Sequence, residues 1–271
     1  MNTITGKIVL LTGASGGIGR FIASSLAHEQ ATVICVGRSL ENLEQLCKQI
    51  KSQNGNGIAI PFDISNLEKL PDLIQHIYQE IGKIDILINN AAVEKYKYFS
   101  DYSQVEIQSI LTTNLLAAME LTRLILPNML KHNSGHIVNI ASGSGKKGIP
   151  YNSVYSASKA GLIIWNDAIR QELSNTNVDV SLICPGYTNT GMYHKGGVKA
   201  PQAARVAEPT DVAKAVIAAI KQNKPEIMLD GVSLRILFAL VQLSPELGDV
   251  IYSSIGLKKL YQKATNHSLL T

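Results

Sequence analysis

Cysteine is scarce in this chain of 271 residues: Cys35, Cys47 and Cys184 are the only three, far apart, with no Cys-x-x-Cys pair or histidine cluster. That spacing excludes a disulfide framework and a zinc site, so no metal is expected, and it fits a reducing, cytoplasmic setting. Long apolar runs are missing as well. None is longer than that at residues 236–241, which is far too short to span a bilayer. The chain enters a strand-like run almost at once, without the charged segment and cleavage site of a secretory leader, so a soluble protein is expected. Nor is there an excess of one charge. The net charge is +4, and Lys146-Lys147 and Lys258-Lys259 are the only basic doublets, which argues against nucleic acid as a partner. No internal repeat or linker divides the chain.

What the chain does have is an even alternation of strand and helix patterns. With 45% hydrophobic residues it can bury one large core. Residues 7–12 (KIVLLT) form a continuous apolar run of the kind buried on both faces of a parallel sheet. They lead into Gly13-Ala-Ser-Gly-Gly-Ile-Gly19, and Ile18, Ile22, Ser25, Leu26 and Glu29 continue at helical spacing. A glycine turn between strand and helix offers exposed N–H groups and a helix dipole to a phosphate, making this a dinucleotide-site candidate; the alternative is a plain tight connection.

Residues 32–36 form a second strand, followed by Gly37, Arg38 and Ser39 where NAD-binding folds commonly carry an acid for the ribose hydroxyls. An arginine there can hold a 2′-phosphate, so NADP(H) is expected over NAD(H), unless Arg38 merely faces solvent. A helix over residues 40–51 and a third strand over 57–61 lead to Phe62-Asp63-Ile64, where Asp63 either holds adenine or caps the next helix. A helix at 67–81 and a strand at 84–88 then give Asn89-Asn90-Ala91-Ala92, small residues that let a ligand approach the backbone.

The spacing of Ile107, Ile110, Leu111, Leu115 and Ala118 predicts one long helix over 103–131 with Asn114 on or beside its buried stripe. A fifth strand, 135–141, ends at Ser142, beyond the carboxyl end of the sheet where open parallel sheets bind ligands; Ser142 could equally be a turn residue. On the helix that follows, Tyr155 and Lys159 lie four residues apart and share a face, so the ammonium can depress the phenol's pKa and ready it for proton transfer. A sixth strand, 179–184, ends in Pro185-Gly186-Tyr187-Thr188, and residues 227–229 supply a seventh at the sheet edge. Right-handed crossovers make this a doubly wound α/β fold.

Taken together and in order, Gly13-x-x-x-Gly17-x-Gly19, Asn89-Asn90-Ala91, Asn114, Ser142, Tyr155-x-x-x-Lys159 and Pro185-Gly186 resemble the short-chain dehydrogenase/reductase family over residues 7–230. Ala92 departs by one methyl from the family's usual glycine and could crowd the floor of the site. The resemblance implies a Rossmann-type domain over 1–230 with a mainly parallel seven-stranded sheet and helices on both faces. It also implies a catalytic tetrad: Tyr155 as acid/base, Ser142 polarising the carbonyl oxygen, Lys159 on the nicotinamide ribose, and Asn114 placing a water through its backbone carbonyl. Around the cofactor it implies Gly13, Ser15, Gly17, Ile18 and Gly19 at the pyrophosphate and adenosine ribose, and Arg38 and Ser39 beyond them. Asp63 and Ile64 would lie at the adenine, and Asn90, Ala91, Pro185, Gly186 and Thr188 toward the nicotinamide half. A homodimer or homotetramer packed through the helices carrying Asn114 and Tyr155 is a further implication.

Two segments leave the template. Residues 187–207 are rich in Gly, Lys and Ala with little periodicity and read as a substrate lid. Residues 231–271 form an extension: 234–243 is apolar nearly all round, Ser244-Pro245 starts another helix, and Leu247, Val250, Ile251 and Ile255 make a second stripe. The preferred reading is a helical pair packed on its own domain or a partner subunit; the second is an apolar wall for a lipid-like substrate or a peripheral membrane contact. The expected activity is NADP(H)-dependent hydride transfer to a ketone or aldehyde, with a 3-oxoacyl chain or another hydrophobic compound as substrate. The alternatives are an NAD-dependent alcohol, hydroxysteroid or sugar dehydrogenase and, less favoured, an NADP-binding sensor without turnover.

Overall fold

In the computed structural model, which describes residues 3–195, 200, 205–229, 236, 238–240, 243–254 and 257–267, β1 (Ile8–Thr12) shows why the chain layers as it does. Val9 and Leu11 pack on one face of the sheet and Leu10 on the other, as the two-residue period of a strand requires. Along β2 (Thr32–Gly37), Val33 and Cys35 repeat the first direction and Ile34 and Val36 the second. Both faces are therefore covered, and the strands are parallel throughout: the order is β3 (Asn56–Pro61), β2, β1, β4 (Ile86–Asn89), β5 (Gly135–Ile140), β6 (Val178–Cys184), β7 (Glu226–Met228).

One face holds α1 (Gly19–His28), α2 (Leu40–Ser52) and, further along the chain, α8 (Pro209–Gln222), which bury Ile22, Leu26, Leu43, Val212 and Val216. On the other are α3 (Leu70–Glu80), α5 (Ala117–Lys131) and α6 (Ser153–Glu172), with Leu73, Ile77, Leu121, Ile125 and Ile169. Two local devices start helices on these faces: Ser39 caps α2 by accepting from Asn42 N, and Pro71 stands in the first turn of α3. A chain of buried amides ties the layers, Asn89 Nδ2 donating to Asn139 Oδ1 at 2.8 Å and Asn139 Nδ2 to Asn166 Oδ1 at 2.9 Å.

The single helix expected over 103–131 is in fact two. A capping box of Ser103 and Glu106 starts α4 (Gln104–Leu111), then one π-helical turn, Thr112–Leu116, intervenes before α5. Apolar periodicity runs through such a turn almost unchanged, so it left no trace in the pattern. After β6 a short helix, α7 (Gly191–Lys195), lies within the expected lid, which is pinned at its ends by a bridge between Thr188 and Ala207. Residues 196–199 and 201–204 of that lid are outside the described residues.

In the extension, α9 (Pro245–Ser254) and α10 (Leu257–His267) lie against the body of the protein: Gln262 Nε2 donates to Tyr98 OH at 2.8 Å, and Lys147 Nζ reaches Asp249 at 3.5 Å. Of the apolar run 234–243, Phe238 is buried while Ile236, Leu240 and Leu243 are exposed, as is Val250; Ile255 falls outside the described residues.

Candidate active site

The switch point between β1 and β4 opens a crevice at the carboxyl ends of the strands. One cavity of about 1010 Å³ runs from there past the ends of β5 and β6 to the extension. At its first end is the glycine turn. Gly13 has φ +64°, and a Cβ on Gly19 would lie 2.1 Å from the Gly13 carbonyl oxygen, so the turn closes only because both side chains are missing. Gly17 sits against the segment after β6, where a Cβ would meet Thr190 at 2.7 Å. Thr12 and Asn90 hold the turn in shape. Thr12 Oγ1 accepts from Asn90 N and Ala91 N, and Asn90 Nδ2 donates to the carbonyls of Thr12 and Gly13.

Gly13, Ser15, Gly17, Ile18, Gly19, Arg38, Asp63, Ile64, Asn90, Ala91, Pro185, Gly186 and Thr188 all line this cavity, as do Ser142, Tyr155 and Lys159. Ala92 lines it too. Two predicted residues do not. Ser39 turns its hydroxyl to the cap of α2. Asn114 is buried behind the site: its Oδ1 accepts from Val93 N at 2.8 Å, and its Nδ2 donates to Val93 O and Ser158 Oγ. Ser158 Oγ in turn donates to Tyr155 O at 2.7 Å, so the Asn114 side chain braces the loop after β4 against the turn of α6 that carries Tyr155. Asp63 accepts from Ser65 N and Ser65 Oγ, a turn-closing role combined with its place on the cavity wall.

At the catalytic end, Tyr155 and Ser142 both line the cavity, the Ser142 hydroxyl acting to lower the Tyr155 pKa while it accepts from Ser144 N at 3.2 Å. Lys159, 2% exposed, donates to Ile140 O at 2.8 Å and lies 5.8 Å from the Tyr155 ring centroid. The expected lowering of the phenol's pKa by Lys159 is not found. Burial and the charge of Glu94 push Tyr155 above its ordinary value of 10.0, outweighing the opposing pull of the Ser142 hydroxyl. Burial also brings Lys159 down to about 8. A phenol held protonated at neutral pH is ready to donate, and the Ser142 hydroxyl beside it can share the oxygen that receives the proton.

Pattern reading of the sequence caught the far wall only in part, offering the run that holds Phe238 as an apolar wall and missing Glu94, Tyr96 and Tyr261. Glu94 and Tyr96 from the loop after β4, with Tyr187, Phe238 and Tyr261, complete the cavity. Tyr261 of α10 stacks on Tyr96, with ring centroids 6.0 Å apart and planes 10° apart, and shares a hydrogen bond with Tyr187 OH. For Glu94 and Tyr96 the available signal was the acid standing in an otherwise small and apolar stretch, Ala91-Ala92-Val93-Glu94.

A phosphate-sized turn with no room for side chains, joined through one cavity to a tyrosine, a serine and a buried lysine, defines a nicotinamide-dinucleotide oxidoreductase. The chain belongs to the short-chain dehydrogenase/reductase family: residues 7–199 match the family model described as short chain dehydrogenase. It is 51% identical over 269 residues to the ketoacyl reductase HetN of Nostoc sp. (strain PCC 7120 / SAG 25.82 / UTEX 2576), covering 97% of this chain and 94% of that protein. Among solved structures, a metagenomic short-chain oxidoreductase in complex with NADP is 28% identical, with a TM-score of 0.74 over 83% of this chain and 97% of that one. A short chain dehydrogenase/reductase from Burkholderia phymatum in complex with NAD shares the fold at 23% identity and a TM-score of 0.82, covering 92% of this chain and 97% of that one.

Proposed function

We propose that the protein is an NADP(H)-dependent carbonyl reductase acting on a ketone or aldehyde with an apolar body. The observation that carries this is the Tyr155–Ser142 pair facing a cavity whose other end holds the glycine turn and Arg38. NADPH supplies the hydride when bound. Tyr155 OH donates the proton to the carbonyl oxygen, Ser142 Oγ polarises that oxygen, and Lys159 holds its positive charge at the foot of the phenol. Arg38, exposed at the end of β2, offers a guanidinium to a 2′-phosphate. The aromatic wall and the relative named ketoacyl reductase make a 3-oxoacyl thioester the first substrate to try.

The same reading takes the protein to be a cytoplasmic homo-oligomer. Val105, Leu116 and Ile164 are exposed apolar residues on or beside the helices that carry Asn114 and Tyr155, a surface suited to a second copy.

The test is NADPH oxidation over 3-oxoacyl thioesters, ketosteroids, quinones, aldehydes and keto sugars, with Tyr155→Phe as the blank. Turnover in the wild type that falls about 100-fold or more in the variant supports the reading, that being the usual range for a lost general acid. Tight NADPH binding without turnover on any class would overturn it in favour of a sensor.

A further inference from the structure

We propose that Glu94 is the specificity-determining residue of this pocket, its carboxylate receiving a hydrogen-bond donor carried by the carbonyl substrate. The inference rests on the reductase reading and deepens it.

Glu94 lies in the loop after β4 and faces the same cavity as Tyr155 and Lys159. Its position relative to the reacting tyrosine is fixed. Asn152, 1% exposed at the cap position just ahead of α6 and three residues before Tyr155, donates from Nδ2 to Glu94 Oε2 at 3.2 Å. Aromatic rings stand close by: Tyr96, two positions along the same loop, stacks on Tyr261, and Ile149 packs on that ring cluster. Asp63 is the other acid among the described lining residues, at the opposite end and engaged with Ser65.

A carboxyl group among aromatic rings is costly to keep unless something compensates it. Burial raises Glu94 to about 7, offset in part by hydrogen bonds from Asn152 and Tyr96 and by the Lys159 charge. The groups around it are therefore Tyr96 on its own loop, Tyr102 ahead of α4, and Asn152, Tyr155 and Lys159 on α6. The proton and oxygen chemistry of Tyr155 and Ser142 is complete without Glu94. What remains for it is recognition. A substrate hydroxyl, or the amide N–H of a pantetheine-like arm, would satisfy the carboxylate and favour its ionised form, whereas an anionic group at the same place would be repelled.

Matched pairs test this: 1-hydroxy-2-heptanone against 2-heptanone, and the N-acetylcysteamine thioester of a 3-oxo acid against its ethyl thioester, which lacks the N–H. The wild type is expected to prefer the donor-bearing member of one pair, and which pair responds identifies the source of the donor. In Glu94→Gln the kcat/KM ratio within that pair falls about 10-fold or more through KM, as befits a lost charge-assisted bond, while Glu94→Asp keeps part of it. The wild-type ratio also falls as the pH drops below about 7, and Glu94→Gln is flat across that range. A ratio unchanged in Glu94→Gln, or equal losses on both members, would overturn the proposal. If no carbonyl is reduced, calorimetric binding of the same pairs still decides: lost turnover counts against the reductase reading alone, and an equal binding preference in wild type and Glu94→Gln counts against Glu94.

Discussion

Lys159 Nζ donates to the Ile140 carbonyl at 2.8 Å, so a buried ammonium ties the end of β5 to the middle of α6 directly below the Tyr155 ring. Ile140 is the last residue of its strand, and its carbonyl is free to accept because the sheet ladder ends there. The site is thereby built at the expense of local stability.

Replacing Lys159 exposes that cost. Its folded value of about 8 lies below the 10.5 of the unfolded chain, so between these pH values the unfolded state binds more protons and stability rises with pH. Lys159→Met removes the buried charge. At pH 7 it is expected to gain up to about 3 kcal/mol, less the lost Ile140 bond, with the gain shrinking as the pH rises from about 8 toward 10.5. Denaturant melts of both proteins over that range check it, and activity should be lost in the variant.

Arg38 should govern cofactor choice. Arg38→Ala is expected to weaken NADPH binding about 10-fold, the low end for a charge-assisted bond at an exposed group, while NADH affinity stays within about 2-fold. Fluorescence titration of both nucleotides measures it; unchanged NADPH affinity would contradict the proposed preference.

Gly19→Ala should open the dinucleotide turn. Its Cβ would lie 2.1 Å from Gly13 O and 2.9 Å from Ala14 Cα, both backbone atoms that cannot swing aside. A loss of about 1–3 kcal/mol in stability, typical of overpacking, is expected together with NADPH affinity reduced about 10-fold or more. Thermal melts with and without NADPH separate the two effects.

His136 should set an acid limit on the fold. Fully buried with Nε2 2.8 Å from Ser181 Oγ, it is held at about 4 by burial, against 6.5 when unfolded. Between these values the unfolded state binds more protons, so stability falls as the pH drops from 6.5 to 4, by about 3 kcal/mol at most. His136→Gln should flatten that part of the curve relative to wild type.

Much of the site was legible because its residues answer to short-range rules. Gly13, Gly17 and Gly19 stand where a strand passes directly into a helix, and Tyr155 and Lys159 share a helical face at four-residue spacing. Ser39 uses its hydroxyl's acceptor in the cap of α2, a role that its place before a helix favours and that the reading of a cofactor contact had not weighed. The lowering of the Tyr155 pKa was misjudged because sequence spacing brings a charge near but says nothing of burial, and burial wins here.

The order of apolar runs, glycines and polar strand ends determined by itself the parallel sheet, its two covered faces and the family, because each of these follows from periodicity along the chain. The π turn that buries Asn114, the brace from Asn114 through Ser158 to the Tyr155 carbonyl, and the wall where Glu94, Tyr96 and Tyr261 meet were decided by the tertiary structure. Tyr96 and Tyr261 stand more than 160 residues apart, and what joins them is the packing of α10 over the cavity, a contact that no local pattern encodes.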